Sequence, residues 1–244
     1  MRLPVFLAAL MLTVAPACAS EALMIAQFQK ELTAATARLA EKLDDISTLS
    51  KAGDLHLFLQ EYPGAVAAFE KMIALDPAQD APHWRLGIAY YFAGEFEKSS
   101  RQFAKYHAYD ARDRENGVWK FLADARLSGV EKARAGMLEY TRFDREPFPA
   151  LYEMFAGKRT AESVIEHVAV PALAGQPQVQ FFAHYYVGLM QDLTGDRPGA
   201  VEHLKKAVAI FTPATAQGGG PGYMWQVARL HLAELSKPAA TPRP

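Results

Sequence analysis

The strongest constraint on this chain is internal repetition. Gly53, Ala65, Phe69 and Pro77 recur, displaced by 34 residues, as Gly87, Ser99, Phe103 and Ala111. A repeat of that period describes a helical hairpin stacked on its neighbours, since one such unit cannot bury its apolar face alone. Each position has a physical reason. Small residues at 53 and 87 let the first helix of a pair approach the second, Ala65 and Ser99 do the same from the other side, and Phe69 and Phe103 fill the space between. Pro77 stops a helix, and Asp76 before it sets the turn to the next unit.

The turns agree with this register. Gln60-Glu61-Tyr62-Pro63 and Gly94-Glu95-Phe96 separate the helices within the two pairs. A third unit is degraded: Ala133 and Met137 keep their places, but Phe121 stands where a small residue belongs, with helices expected over Arg114–Leu127 and Val130–Glu139. A short hairpin follows, Pro149–Phe155 and Thr160–Val168, turning at Gly157 with Thr160 as N-cap. Pro171–Pro177 is a linker. The pattern then returns with Tyr185, Val187 and Gly188, the turn Gly195-Asp196-Arg197-Pro198, and Ala200, Leu204 and Ala207. Gly218–Gly222 reads as a loop, and Tyr223–Leu235 as an amphipathic helix capping the last apolar surface.

Trp84-Arg85-Leu86-Gly87-Ile88-Ala89-Tyr90 and Ala74-Leu75-Asp76-Pro77 resemble the tetratricopeptide (TPR) consensus at the places that define it. The resemblance implies an all-α fold, a TPR-like α-solenoid in which antiparallel helix pairs form a right-handed superhelix. The expected organisation is an export signal at 1–19, an amphipathic helix at 20–45 and repeats at 46–79 and 80–113. Degenerate repeats then cover 114–170, with a further repeat at 178–211, a capping helix at 223–236 and a disordered tail at 237–244.

The first residues read as an address: Arg2, an apolar run from Leu3 to Val14, then Ala17-Cys18-Ala19 with small residues at minus three and minus one before Ser20. The run is shorter than the ~20 residues that a spanning helix needs. Cleavage after Ala19 gives a periplasmic or secreted chain without cysteine. Lipidation of Cys18 is the competing reading, although Ala15 and Pro16 fit a lipoprotein signal poorly. Ile25, Phe28, Leu32, Ala35, Leu39, Leu43, Ile46 and Leu49 make one apolar stripe on a long helix, free to cap the array or to pair with a second copy as a homodimer.

The chain carries 26 basic and 27 acidic residues and a net charge of −1, with no basic cluster along it. Nucleic acid is excluded as a partner class, and a membrane is expected only through Cys18. No nucleophile elbow, zinc-binding His-Glu-x-x-His, Walker loop or dinucleotide glycine pattern is present, so catalytic, cofactor and metal sites are all expected to be absent. His184 and His203 meet as packing. Lys98, Arg101 and Lys105 form a solvated face. Repeat spacing sends Phe58, Trp84, Ile88, Tyr91, Phe182 and Tyr185 towards the concave groove, where aromatic anchors would hold other proteins or peptide segments; the same spacing also suits packing between repeats. Ser50 and Asp54 stand where chaperone-binding TPR domains place a carboxylate clamp, which disfavours that ligand.

The order of parts is similar to bacterial outer-membrane lipoproteins of the NlpI type. An N-terminal helix and two clear repeats carry it, with Gly87-Ile88-Ala89-Tyr90-Tyr91, Gly94, Tyr106, Tyr109-Asp110, Val118-Trp119, Leu122-Ala123, Glu153–Gly157 and the repeat around Tyr186–Gly195. The resemblance implies a homodimeric envelope adaptor that brings cell-wall hydrolases and a periplasmic protease together. The weak lipid signal departs from that pattern.

Overall fold

A computed structural model describes residues 16–237, so most of the export segment and residues 238–244 of the tail lie outside the described residues. Within them the chain is all-helical. The helices are α1 (Pro16–Glu41), α2 (Ile46–Phe58), α3 (Tyr62–Leu75), α4 (Trp84–Phe92), α5 (Phe96–Tyr109), α6 (Arg114–Ser128) and α7 (Val130–Ala135). After them come α8 (Phe148–Phe155), α9 (Ala161–Val168), α10 (Pro171–Ala174), α11 (Pro177–Leu193), α12 (Arg197–Ile210), α13 (Pro213–Gln217) and α14 (Gly222–Ser236). Consecutive helices pack as pairs, α2 on α3, α4 on α5 and α11 on α12. The architecture is a TPR-like α-solenoid.

The repeat positions act through volume. A Cβ at Gly53 would lie 2.4 Å from the Phe69 ring, and one at Gly87 2.7 Å from the Phe103 ring, both too close to coexist. Both phenylalanines are fully buried. Ser99 adds a hydroxyl that donates to the Gly87 carbonyl at 2.8 Å, which satisfies its polar atom inside the core. In the third unit Phe121 turns instead towards Phe155 of α8, ring centroids 5.1 Å apart. That contact recruits α8 into the core.

Three elements differ from expectation. The apolar stripe from Ile25 to Leu49 is not one helix: it breaks at Lys42–Asp45, where Asp45 caps α2 by accepting from Thr48 N at 3.1 Å. Its halves fold back on each other, as Lys51 reaches Glu31 at 2.8 Å and Phe28 meets Phe58. The helix expected to reach Glu139 ends at Ala135. Beyond it the Leu138 carbonyl accepts from Tyr152 Oη at 2.6 Å, and Tyr140 lies beside Gly117, where a Cβ would come within 2.7 Å of its ring. The linker at 171–177 begins as the short helix α10, held by Gln180, whose side chain donates to the Val168 and Leu173 carbonyls. No helix among the described residues is long and apolar enough to cross a membrane.

Candidate protein-binding face

The hollow of the array is filled by the chain itself. Helix α14 packs on α12 and α13, then crosses to α2, α4 and α6. Tyr223 sits edge-on to Phe58 at 5.0 Å and to Trp84 at 4.8 Å. About two turns further along α14, the His231 ring meets Tyr91, Phe92, Trp119 and Tyr185. At the far end Tyr62 Oη donates to Glu234 at 3.0 Å. Every residue from Met224 to His231 is buried. The reading of this helix as amphipathic is therefore corrected: Gln226, Arg229 and His231 are as covered as its apolar side.

This filling corrects the groove expected from repeat spacing. Ile88 and Tyr185 are 0% exposed, and Phe58, Tyr91 and Phe182 are also buried. They are core, held by α14 or by neighbouring helices. Phe182 stacks on Tyr186 and meets Phe148 at a tilt, in an aromatic cluster of its own. Trp84 alone of the six stays half-exposed. Ser50 and Asp54 are occupied too, since Arg85 donates to Asp54 Oδ2 at 2.6 Å and to Ser50 Oγ at 2.9 Å. Burial pushes the Asp54 carboxyl up to about 6 against the pull of that guanidinium.

What stays open beside Trp84 is a cleft of about 190 Å³ between α4, the start of α6 and α14. Trp84, Trp119 and Met224 form its apolar walls, and Asp113, Glu115 and Asn116 its polar side. Sequence reasoning missed the last three. They belong to the N-terminus of α6, where Asp113 caps the helix by accepting from Glu115 N at 3.1 Å. Arg145 comes in from the irregular segment after α7, donates to Asp113 Oδ1 at 3.1 Å and to Glu115 Oε2, and lies 4.1 Å over the Phe148 ring. Tyr186 Oη donates to Glu115 Oε1 at 2.5 Å and accepts from Trp119 Nε1 at 3.1 Å. Burial lifts the Glu115 carboxyl to about 7, with Arg145 opposing. Asp113 with its Arg-x-Asn neighbours is an ordinary cap in sequence, so only packing reveals it as part of a cleft.

The remaining candidates resolve as packing. His184 and His203 meet with Nδ1 atoms 2.9 Å apart, and burial pushes His184 down to about 4. The pair is a neutral hydrogen bond, and among the described residues no group of three metal-capable side chains exists. Lys98, Arg101 and Lys105 are each matched by a carboxylate, from Glu70 and Glu95, Glu97 and Asp80.

The glycine-locked helical hairpins give the chain a TPR-like α-solenoid fold whose hollow is filled by its own last helix. No family model matches it. It resembles NlpI: the lipoprotein NlpI homolog of Haemophilus influenzae is 27% identical over 120 residues, covering 49% of this chain and 36% of that relative. The similarity thus spans about a third of the relative's length.

Proposed function

We propose that this chain is an exported adaptor or scaffold of the bacterial cell envelope that binds other polypeptides and catalyses no reaction. One observation carries this reading: the cleft beside Trp84 leaves that indole half-exposed next to the polar side chains of Asp113, Glu115 and Asn116, whereas α14 and neighbouring helices cover the other predicted anchors. Buried aromatic anchors in a desolvated recess are what hot spots of protein recognition consist of. The export signal read at 1–19 and the resemblance to a lipoprotein of Haemophilus influenzae support an envelope location, periplasmic or anchored through Cys18. The TPR-type fold supports a binding role over an enzymatic one, because arrays of this kind offer a surface and not a reaction centre.

The test is affinity capture from envelope extract with the full mature chain and with Trp84→Ala. Trp84→Ala is expected to lose a specific partner while the melting temperature changes by only a few degrees. A variant that loses folding and binding together makes Trp84 a core residue and removes the site.

A second reading is self-association along α1. Leu23 is 73% exposed, and Ile25, Leu32 and Leu39 are only half-covered by α2. Light scattering of the mature chain against Leu23→Lys decides it: a dimer that becomes a monomer supports this reading, and an unchanged monomeric mass rejects it.

A further inference from the structure

The cleft at the start of α6 has a chemical bias. Asp113 uses only Oδ1, for the helix cap and for Arg145, and among the described residues nothing bonds to its Oδ2. Asn116 is 5% exposed, lines the cleft, and its side-chain amide has no hydrogen-bond partner among the described residues. Its amide atoms are not sealed from solvent, so they stand open to a hydrogen-bonding partner in the cleft. Charge adds to this. Asp113 and Glu115 are two carboxyl groups facing one guanidinium, Arg145, and Arg85, Arg112 and Arg114 are committed elsewhere, to Asp54, Asp110 and Asp144. The half-exposed indole of Trp84 supplies a π-face on which a cation is stabilised, while Trp119, stacked between Phe103 and His231, closes the apolar floor. Arg145 already shows the combination at work a few ångströms away, a guanidinium held between these carboxylates and the Phe148 ring. The volume is smaller than the ~300–1,000 Å³ of pockets that enclose a whole small molecule. One long side chain fits.

We propose that this cleft receives the cationic tip of a lysine or arginine side chain from a bound polypeptide, with Asp113 Oδ2 and the side-chain amide oxygen of Asn116 accepting its hydrogen bonds beside the Trp84 indole. Asp113 and Asn116 are then specificity residues. The proposal rests on the reading of the chain as a polypeptide binder and names the chemistry of what it binds.

Its test needs no natural partner. The mature chain is titrated with N-acetyl-lysine methylamide, N-acetyl-arginine methylamide and the uncharged N-acetyl-norleucine methylamide, and tryptophan emission is followed, since two of the three tryptophans line the cleft. A cationic amide is expected to bind about tenfold more tightly than norleucine, as one charge-assisted hydrogen bond implies. Whichever of lysine and arginine binds more tightly identifies the tip. Asp113→Asn, which keeps the helix cap, and Asn116→Leu should each bring that preference to within about twofold. Equal binding of norleucine in the unaltered chain overturns the proposal, and so does a preference that survives both substitutions. If the amides show no preference while Trp84→Ala still loses an envelope partner, the cationic cleft is wrong and the adaptor reading stands. If neither experiment responds to Trp84 or Asp113, both fall.

Discussion

The phenol oxygen of Tyr185 lies 2.8 Å from Nδ1 of His231, and this contact ties the last repeat to the helix that fills the hollow of the array. Both side chains are buried, and His231 Nε2 has no partner among the described residues. An imidazole with so little solvation resists a second proton, so burial pushes His231 down to about 3. A base depressed in the folded state is protonated first in the unfolded state as pH falls. Stability from His231 is therefore present above pH 6.5 and is lost between 6.5 and about 3, at roughly 1 kcal/mol per pH unit. Urea midpoints measured across that range should fall less steeply in His231→Phe than in the unaltered chain; parallel profiles refute the assignment.

Glu115 has the opposite sign. Its carboxyl is raised to about 7, so the folded state holds a proton that the unfolded chain releases near 4.5. This contribution is complete below pH 4.5 and disappears as pH rises to 7, for roughly 1–3 kcal/mol in all. The two groups partly cancel between pH 4.5 and 6.5. Glu115→Gln removes the rise, so its stability should vary less than the unaltered chain's between pH 4.5 and 7. A variant that follows the original profile shows that Glu115 is not the group responsible.

Gly53 and Gly87 carry a packing prediction. Alanine has the higher helix propensity by about 1 kcal/mol, yet its methyl has no space against Phe69 or Phe103. Gly87→Ala should destabilise by about 1–3 kcal/mol in chemical unfolding, and Phe103→Leu added to it should restore part of the loss. A Gly87→Ala chain as stable as the original places Phe103 elsewhere.

Export makes its own mark on the mature chain. Intact-mass measurement of protein recovered from an expressing bacterium should give a chain beginning at Ser20. An acylated Cys18 at the N-terminus selects the lipoprotein reading instead, and an unprocessed Met1 excludes both.

The repeat register was legible in sequence because steric demands are local: a glycine faces a phenylalanine sixteen residues later, twice, and no other pair of side chains fits. Thr160 was legible for the same reason, as its hydroxyl accepts from Ser163 N within one turn. The filled groove was not. Repeat spacing says which side of a helix faces the hollow, but it cannot say that Tyr223 and His231, some 140 residues beyond Trp84 and Tyr91, return to occupy it. One sign was available. Met224-Trp225-Gln226-Val227-Ala228-Arg229-Leu230 has apolar residues on every side of the helix, the pattern of a helix buried all round. Its two polar residues, Gln226 and Arg229, disguised that. The Asp113–Asn116 cleft left no comparable sign, because an aspartate N-cap looks the same whether it faces solvent or two indoles.

Those polar residues have a structural task, and Arg229 shows it best. The last carbonyls of a helix lack partners within it, and α2 ends at Phe58 beneath α14. Arg229 Nη2 donates to the Phe58 carbonyl at 2.7 Å, while Nε donates to Gln226 Oε1 at 3.0 Å. The guanidinium thus caps α2 from the opposite end of the chain and sets a positive charge at the negative end of its dipole. Arg229→Met keeps much of the volume but leaves a buried carbonyl unpaired, which costs about 1–3 kcal/mol. The loss should be concentrated where α14 meets α2: amide exchange should quicken in both helices and in Trp84 and its neighbours, and stay slow in the α11–α12 hairpin. Uniformly faster exchange through the whole chain would mean that Arg229 supports global stability alone, and that α14 is not fastened to the first repeat by this contact.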